Sequence, residues 1–107
     1  MITVNQETET KDLGGGVTRK VLSYSKNLMA CELKFAKGAV GALHSHPHEQ
    51  IGYVVSGSFE VEEAGQEKKI VRTGDTYYMA PDIEHGVVAL EDSVLLDIFT
   101  PVREDFL

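Results

Sequence analysis

Residues 38–57 read GAVGALHSHPHEQIGYVVSG, and this stretch decides how the rest of the chain is interpreted. His44 and His46 are separated by one residue, and side chains two apart on a β-strand point to the same face. A strand here therefore aims both imidazoles into one pocket. Gln50 has the same parity, and His85 follows a turn-like Ala-Pro-Asp tripeptide from which it can join them. Imidazole nitrogen binds Zn, Cu, Fe and Ni ions, so the pattern predicts one bound divalent metal.

Outside this stretch the chain reads as short β-strands separated by turns. Residues 28–36 alternate between apolar and polar side chains, which is typical of a half-buried strand. Turn signals recur about every eight to twelve residues, and no long segment has a helical period. The pattern predicts an all-β fold, an antiparallel sandwich or barrel. The predicted strands are residues 17–25, 28–36, 40–46, 51–55, 59–63, 68–71, 76–79, 85–90 and 93–99, with a hairpin turn at 64–67.

Length and charge narrow the class of protein. A chain of 107 residues suits a single domain, residues 1–107, in which residues 1–16 are an N-terminal arm or an edge strand. Seventeen acidic against ten basic residues give a net charge of −7, which argues against a nucleic-acid surface. No apolar run is long enough to cross a bilayer, and the polar start does not read as a signal peptide. We expect a cytoplasmic protein.

Two further features concern burial and partners. Cys31 is the only cysteine, so it cannot form an intrachain disulfide, and its place on an apolar face predicts a buried small side chain. The final predicted strand is apolar on both faces, with Val94 and Leu96 on one and Leu95 and Phe99 on the other. A strand buried on both sides needs a second cover, which predicts a homodimer.

Two spaced motifs resemble those of the cupin family. The first contains Gly38, His44, His46, Gln50 and Gly57, with an amide where the family usually has Glu. The second contains Gly74, Pro81 and His85, with Ala89 in place of a later Asn. The resemblance implies a cupin double-stranded β-helix, which is an antiparallel jelly-roll barrel. It also implies one divalent transition metal (Ni, Zn, Mn, Fe or Co) held by His44, His46, Gln50 and His85.

A narrower resemblance lies in two runs, HSHPHEQIGY at 44–53 and DIFTPVREDFL at 97–107. Both are similar to the pectin-degradation cupins, which open the ring of 4,5-unsaturated monouronates to give linear 5-keto-4-deoxyuronates. The resemblance places Asp97, Phe99 and Arg103 in the active site. It implies catalytic roles for Asp97 and Arg103, with Arg103 and Phe99 also contacting a small anionic sugar. We expect the aromatic side chains of Tyr53 and Tyr78 to wall the same pocket.

The residues themselves leave alternatives open. Asp97 is costly to bury in an apolar strand without a partner, so it is either in an ion pair with Arg103 or an acid/base group facing the metal. The neutral Gln50 leaves the charge of the cation uncompensated, which favours Lewis-acid chemistry on an anion. His48 is expected to face solvent. Competing functions are a cupin dioxygenase, a sugar isomerase or a module that binds a small acid without turnover.

Overall fold

The computed structural model describes all 107 residues, and its regular structure is almost entirely β-strand. The strands are β1 (Lys11–Gly14), β2 (Val17–Tyr24), β3 (Met29–Phe35), β4 (Val40–His44), β5 (Glu49–Ser56), β6 (Ser58–Glu63), β7 (Lys69–Arg72), β8 (Thr76–Met79), β9 (His85–Ala89) and β10 (Ser93–Thr100). Single 3-10 turns cover Asn5–Glu7 and Glu104–Phe106. No helix in the structure has the length and apolar character needed to cross a membrane.

The strands form two antiparallel sheets. One has six strands in the order β1-β2-β3-β10-β5-β8, and the other has four in the order β4-β9-β6-β7. Several neighbours in each sheet come from distant parts of the chain, as β10 between β3 and β5 shows. This arrangement is the antiparallel jelly-roll barrel that the sequence predicted, and the all-β fold class is confirmed.

Alternating burial explains why these segments are strands. On β10, Ser93, Leu95, Asp97 and Phe99 are buried, whereas the residues between them are only half-buried. Inward-facing apolar side chains from both sheets therefore meet in one core, where the rings of Phe35 and Phe59 pack edge to face with centroids 5.1 Å apart.

A second, smaller apolar cluster lies at one end of the barrel. It consists of Met29, Cys31, Phe99 and Val102. Cys31 is fully buried there, as predicted, and burial raises the pKa of its thiol to about 12. The candidate site lies between the two clusters, because Leu95 of the first and Phe99 of the second border the same cavity.

One strand boundary differs from the prediction in a way that matters for the site. The predicted strand 40–46 ends at His44, so His46 lies on the connection between β4 and β5 rather than beside His44 on one strand. Pro47 cannot donate a ladder hydrogen bond, which is the physical reason for a break here. β5 then begins at Glu49, where it pairs with Thr100 of β10.

Candidate metal centre

Three histidine side chains converge at the mouth of the barrel. His44 and His85 stand opposite each other on the paired strands β4 and β9, and His46 reaches them from the β4–β5 connection. Each offers a ring nitrogen, and these atoms all lie within 4.8 Å of one another. The predicted triad is therefore brought together, but by the pairing of His44 with His85 across two strands and by the β4–β5 connection rather than by alternation along one strand.

Backbone carbonyls fix the orientation of all three rings. Nδ1 of His44 is 2.7 Å from Ala42 O, Nδ1 of His46 is 2.9 Å from His48 O, and Nδ1 of His85 is 2.9 Å from Ile83 O. A carbonyl oxygen only accepts, so each Nδ1 carries the proton and each Nε2 keeps a free lone pair. This is the tautomer that a metal-binding imidazole needs.

His85 supplies the observation that tests the fit of a metal. Its Nε2 is buried and has no hydrogen-bond partner. A buried polar atom without a partner is costly, and a cation bound to this nitrogen removes the cost. Burial also lowers the pKa of His46 and of His85, so both rings stay neutral and available as ligands at neutral pH.

Gln50 completes the donor set. Its Oε1 lies 3.0 Å from Nε2 of His46. Ligand atoms about 2.1 Å from one ion, at right angles to each other, are about 3 Å apart, so this spacing suits two ligands of the same metal. With its proton on Nδ1, His46 presents a lone pair to an amide oxygen, and a shared cation satisfies both atoms. Three neutral imidazoles and one amide fit a divalent transition metal.

His48 departs from its expected position. It is half-buried rather than solvent-facing, and its Nε2 donates to Val102 O at 3.2 Å. The expectation is wrong because the chain bends after Pro47 and turns this side chain toward the C-terminal segment. The carbonyl of His48 accepts from His46 Nδ1, so its backbone orients a ligand ring while its own ring remains outside the triad.

Behind the metal ligands lies a cavity of about 240 Å³. It is bordered by the predicted metal ligands His44, Gln50 and His85 and also by Asp97, Phe99 and Arg103. The cavity thus brings the predicted metal ligands other than His46 together with the predicted catalytic and contact residues of the C-terminal run.

Tyr53 and Tyr78 do not border the cavity, and the expectation that they wall it is wrong. Gln50 faces inward on β5, so Tyr53 at the opposite parity faces outward and is 42% exposed. Tyr78 is likewise outward-facing and 51% exposed, and its hydroxyl donates to Glu49 Oε2 at 2.8 Å. The inward tyrosine is Tyr77, which the sequence analysis did not single out.

Tyr77 reaches Asp97 across a glycine. Asp97, Gly52 and Tyr77 stand in one row on β10, β5 and β8. A Cβ on Gly52 would lie 2.3 Å from Cζ of Tyr77, so only glycine leaves room for the ring to cross the middle strand. The Tyr77 hydroxyl then donates to Asp97 Oδ1 at 3.2 Å. The available signal was a glycine inside a strand, which often marks a close approach.

Asp97 is a buried carboxyl with an unusual pKa. It is 5% exposed, and burial raises its pKa to about 6, although hydrogen bonds from Gln50 and Tyr77 oppose the shift. The ion pair with Arg103 that the sequence left open is not formed. Arg103 instead binds Asp105 with two hydrogen bonds, from Nε at 3.0 Å and from Nη2 at 2.8 Å. Asp97 is therefore free of a direct cationic partner and changes its protonation near neutral pH.

The aromatic rings of Phe99 and Phe106 pack between the arginine side chains and the metal ligand His46. The Phe99 ring lies 5.8 Å from that of His46 and 5.8 Å from that of Phe106. Arg103 Cζ stands over both phenyl rings, 5.1 Å from the Phe99 centroid and 4.1 Å from that of Phe106. A second guanidinium, that of Arg19 on β2, lies 3.7 Å from the Phe106 centroid and also borders the cavity. Sequence reasoning missed Arg19, whose only signal was a charge on the buried face of a strand.

Comparison with known proteins identifies the family. Residues 31–99, well over half of the chain, match the family model of the cupin domain. The chain belongs to the cupin family.

Relatives of this cupin match it over almost its full length. It is 49% identical over 106 residues to the pectin degradation protein KdgF of Dickeya dadantii strain 3937. The aligned region covers 97% of this chain and 96% of that protein. The solved structure of KdgF from a Halomonas species is 44% identical with a TM-score of 0.95, covering 100% of this chain and 98% of that one. An RmlC-like cupin from Shewanella frigidimarina is 40% identical, also with a TM-score of 0.95, covering 99% and 95%.

Proposed function

We propose that this cupin opens the ring of 4,5-unsaturated monouronates to give 5-keto-4-deoxyuronates, with one divalent transition metal bound by His44, His46, Gln50 and His85. The near-full-length relative is named for pectin degradation, a process that yields uronates. The observation that carries the proposal is a single cavity that joins these ligands to the buried carboxyl of Asp97.

The charge of the cavity supports an anionic substrate. The chain as a whole carries −7, which repels small acids at long range. At the cavity, the cations Arg19 and Arg103 are balanced by the carboxyl of Asp97 and by Asp105, which pairs with Arg103. The four metal ligands are neutral, so a bound divalent ion adds its full charge. The local field is therefore positive where the substrate would enter.

Asp97 is suited to both proton transfers of the reaction. In the ring form, the ring oxygen joins a hemiacetal carbon to an enol carbon. As a base, Asp97 takes the proton of the hemiacetal hydroxyl while the bond between that carbon and the ring oxygen breaks. It then returns the proton to the other carbon of the double bond, next to the carbon that carries the released oxygen. The former hemiacetal carbon is left as an aldehyde and the oxygen-bearing carbon as a ketone, which balances all atoms. A carboxyl with a pKa of about 6 accepts and releases a proton readily near pH 7.

The other groups hold the reacting parts in place. Tyr77 fixes the orientation of Asp97 through its hydroxyl. Phe99 borders the cavity and packs against Phe106 of the C-terminal segment. A bound divalent metal supplies Lewis-acid stabilisation of the negative charge that develops on oxygen as the ring opens.

Turnover of the Asp97→Asn variant tests the proposal. We expect metal-loaded wild-type protein to accelerate the loss of the conjugated double-bond absorbance of an unsaturated monouronate. Asp97→Asn should lower turnover about 100-fold or more while metal content by elemental analysis stays the same. Glu67→Gln, which removes the charge of an exposed carboxyl that does not border the cavity, is the matched control and should leave turnover unchanged.

Other outcomes separate the competing functions. Absence of acceleration by fully loaded protein rejects the reaction, and reversible uptake of the uronate without product would indicate a binding module. Oxygen consumption by iron-loaded protein would indicate a dioxygenase. Elemental analysis of the purified protein identifies the metal among Ni, Zn, Mn, Fe and Co, which such a donor set accepts in common.

We also propose a homodimer formed through the outer face of the six-stranded sheet. This face exposes four large apolar or aromatic side chains, Ile51, Tyr53, Val55 and Tyr78. Beside them, Val94, Leu96 and Ile98 of β10 are only half-buried. Large contiguous apolar patches on a protein surface commonly mark an interface, and a second copy of the same flat face is self-complementary by two-fold symmetry.

A cytoplasmic location is the last part of the proposal. It is supported by Cys31, which is a free thiol enclosed in the smaller apolar cluster. A protein without disulfides is at no disadvantage in a reducing compartment. Fractionation of the source cells, with detection of the native chain, tests this location.

A further inference from the structure

Arg19 is a buried cation to which the proposed reaction has so far assigned no role. It lies on β2 with its side chain on the inward face, and only 9% of the residue is exposed. The cavity that it borders also contains His44, Gln50 and Asp97. A charged side chain in this position needs an explanation, because burying a guanidinium is costly.

The guanidinium of Arg19 has no hydrogen-bond or ion-pair partner in the protein. Its close contact is the flat face of Phe106, 3.7 Å from ring centroid to Cζ, which satisfies none of its N–H groups. Burial is the main cause that lowers the pKa of Arg19, and Arg103 lowers it further. The five N–H donors of this guanidinium therefore face the cavity without a protein acceptor.

Arg103 is in the opposite situation. Its Nε and Nη2 already bind the two carboxylate oxygens of Asp105, at 3.0 and 2.8 Å. That geometry uses the side of the guanidinium that recognises a carboxylate in two-pronged fashion, and leaves mainly Nη1 for another ligand. Arg103 contributes its charge to the cavity, but Asp105 competes with any incoming acid for its donors.

We propose that Arg19, rather than Arg103, is the main anchor for the substrate carboxylate and the residue that selects acids over neutral sugars. This role rests on the proposed function, since it takes the ligand of the metal cavity to be a uronate. The planar fork of Arg19 matches a carboxylate in geometry and charge. A neutral sugar offers this guanidinium no opposite charge, so it binds more weakly than the acid.

One competing location must be separated from the cavity. Arg19 also borders a second depression, next to Glu9 and Lys11. Lys11 stands opposite Arg19 in the β1–β2 register and does not border the metal cavity. Removal of the Lys11 charge should therefore weaken the binding of an anion in this second depression, but not the binding of one beside the metal.

Equilibrium binding to the metal-loaded protein tests the anchor, with D-galacturonate and D-galactose as probes that differ in the carboxylate. Calorimetry on wild type should show the acid binding about tenfold or more tightly than the neutral sugar. Arg19→Met keeps an apolar contact with Phe106 and should abolish that preference without changing galactose binding. Arg19→Lys should retain part of the preference for the acid, and Lys11→Met should retain all of that preference.

Three results would overturn the assignment. The first is that wild type binds the two sugars with equal affinity. The second is that Arg19→Met keeps the preference for the acid while Arg103→Lys loses it. The third is that Lys11→Met loses as much of this preference as Arg19→Met does. Thermal unfolding of each variant shows whether it is folded, and Arg19→Lys keeps the test decisive if Arg19→Met is not. Arg19-dependent binding without any turnover would reject the ring-opening reaction but keep the anchor.

Discussion

At Asp97 the requirements of stability and chemistry oppose each other. Its pKa is raised to about 6 in the folded protein, against about 3.9 in an unfolded chain. The folded state thus binds the proton more tightly, so the stability linked to this group is fully present below about pH 4. It is lost as the pH rises through 6, and the ionised carboxylate then costs about 2 to 3 kcal/mol.

Replacement of this carboxyl should therefore stabilise the metal-free protein. We expect Asp97→Asn to raise the free energy of unfolding by about 2 kcal/mol at pH 8 and to change it little at pH 4, since the wild-type group is neutral there. Urea unfolding of chelator-treated protein at the two pH values measures the difference, with Glu67→Gln as the control. An equal loss of stability at both pH values would mean that the carboxylate has a structural role.

At the scale of the strands, three neighbouring strands together form the hydrogen bond between Tyr77 and Asp97. β8 carries Tyr77, β5 provides the gap at Gly52, and β10 presents Asp97. The missing side chain in the middle strand is what allows an aromatic ring on one side to reach a carboxyl on the other. Because a strand fixes only the face of a side chain, the hydrogen bond depends on the register of all three strands.

Substitutions in this row should lower turnover without loss of metal. Gly52→Ala places a methyl group where the Tyr77 ring lies, so the ring must move and its hydroxyl leaves Asp97. We expect about a tenfold loss of turnover, accompanied by some loss of stability. Tyr77→Phe keeps the ring and removes only the hydroxyl, so it should lower turnover to a similar degree and raise the pH at which Asp97 loses its proton, seen in the pH profile. Unchanged turnover in both variants would exclude a role for this row.

At the scale of the whole molecule, the two sheets differ in what they expose. The outer face of the larger sheet carries the proposed dimer contacts, and Ile51 at its centre is 49% exposed. We expect light scattering after size-exclusion chromatography to give the dimer mass for wild type and the monomer mass for Ile51→Lys. Ile70→Lys changes an equally exposed isoleucine, at 47%, on the smaller sheet and should remain a dimer. A monomeric wild type, or a dimer lost in both variants, would exclude this face as the interface.

The sequence alone determined the fold class and much of the metal centre. Strand alternation and turn spacing are local properties, so the order of short strands could be read from neighbouring residues. The spacing of His44, His46 and Gln50 is also local, and it indicated a metal although His46 lies off the strand that it was assigned to. Cys31 was placed correctly for the same reason, because burial on one face of a strand follows from the residues two positions away.

Only the tertiary structure decided which groups share the cavity with those ligands. Tyr77 rather than Tyr53 or Tyr78 faces inward, because the parity of a strand is set by its register against β5. Arg19 lies beside the C-terminal Phe106 although 87 positions separate them in the chain, and Arg103 binds Asp105 instead of Asp97. The Arg19–Phe106 contact joins segments that are far apart in the chain, and the choice of Asp105 over Asp97 as the partner of Arg103 depends on where the C-terminal segment packs, so no local pattern of residues encodes either.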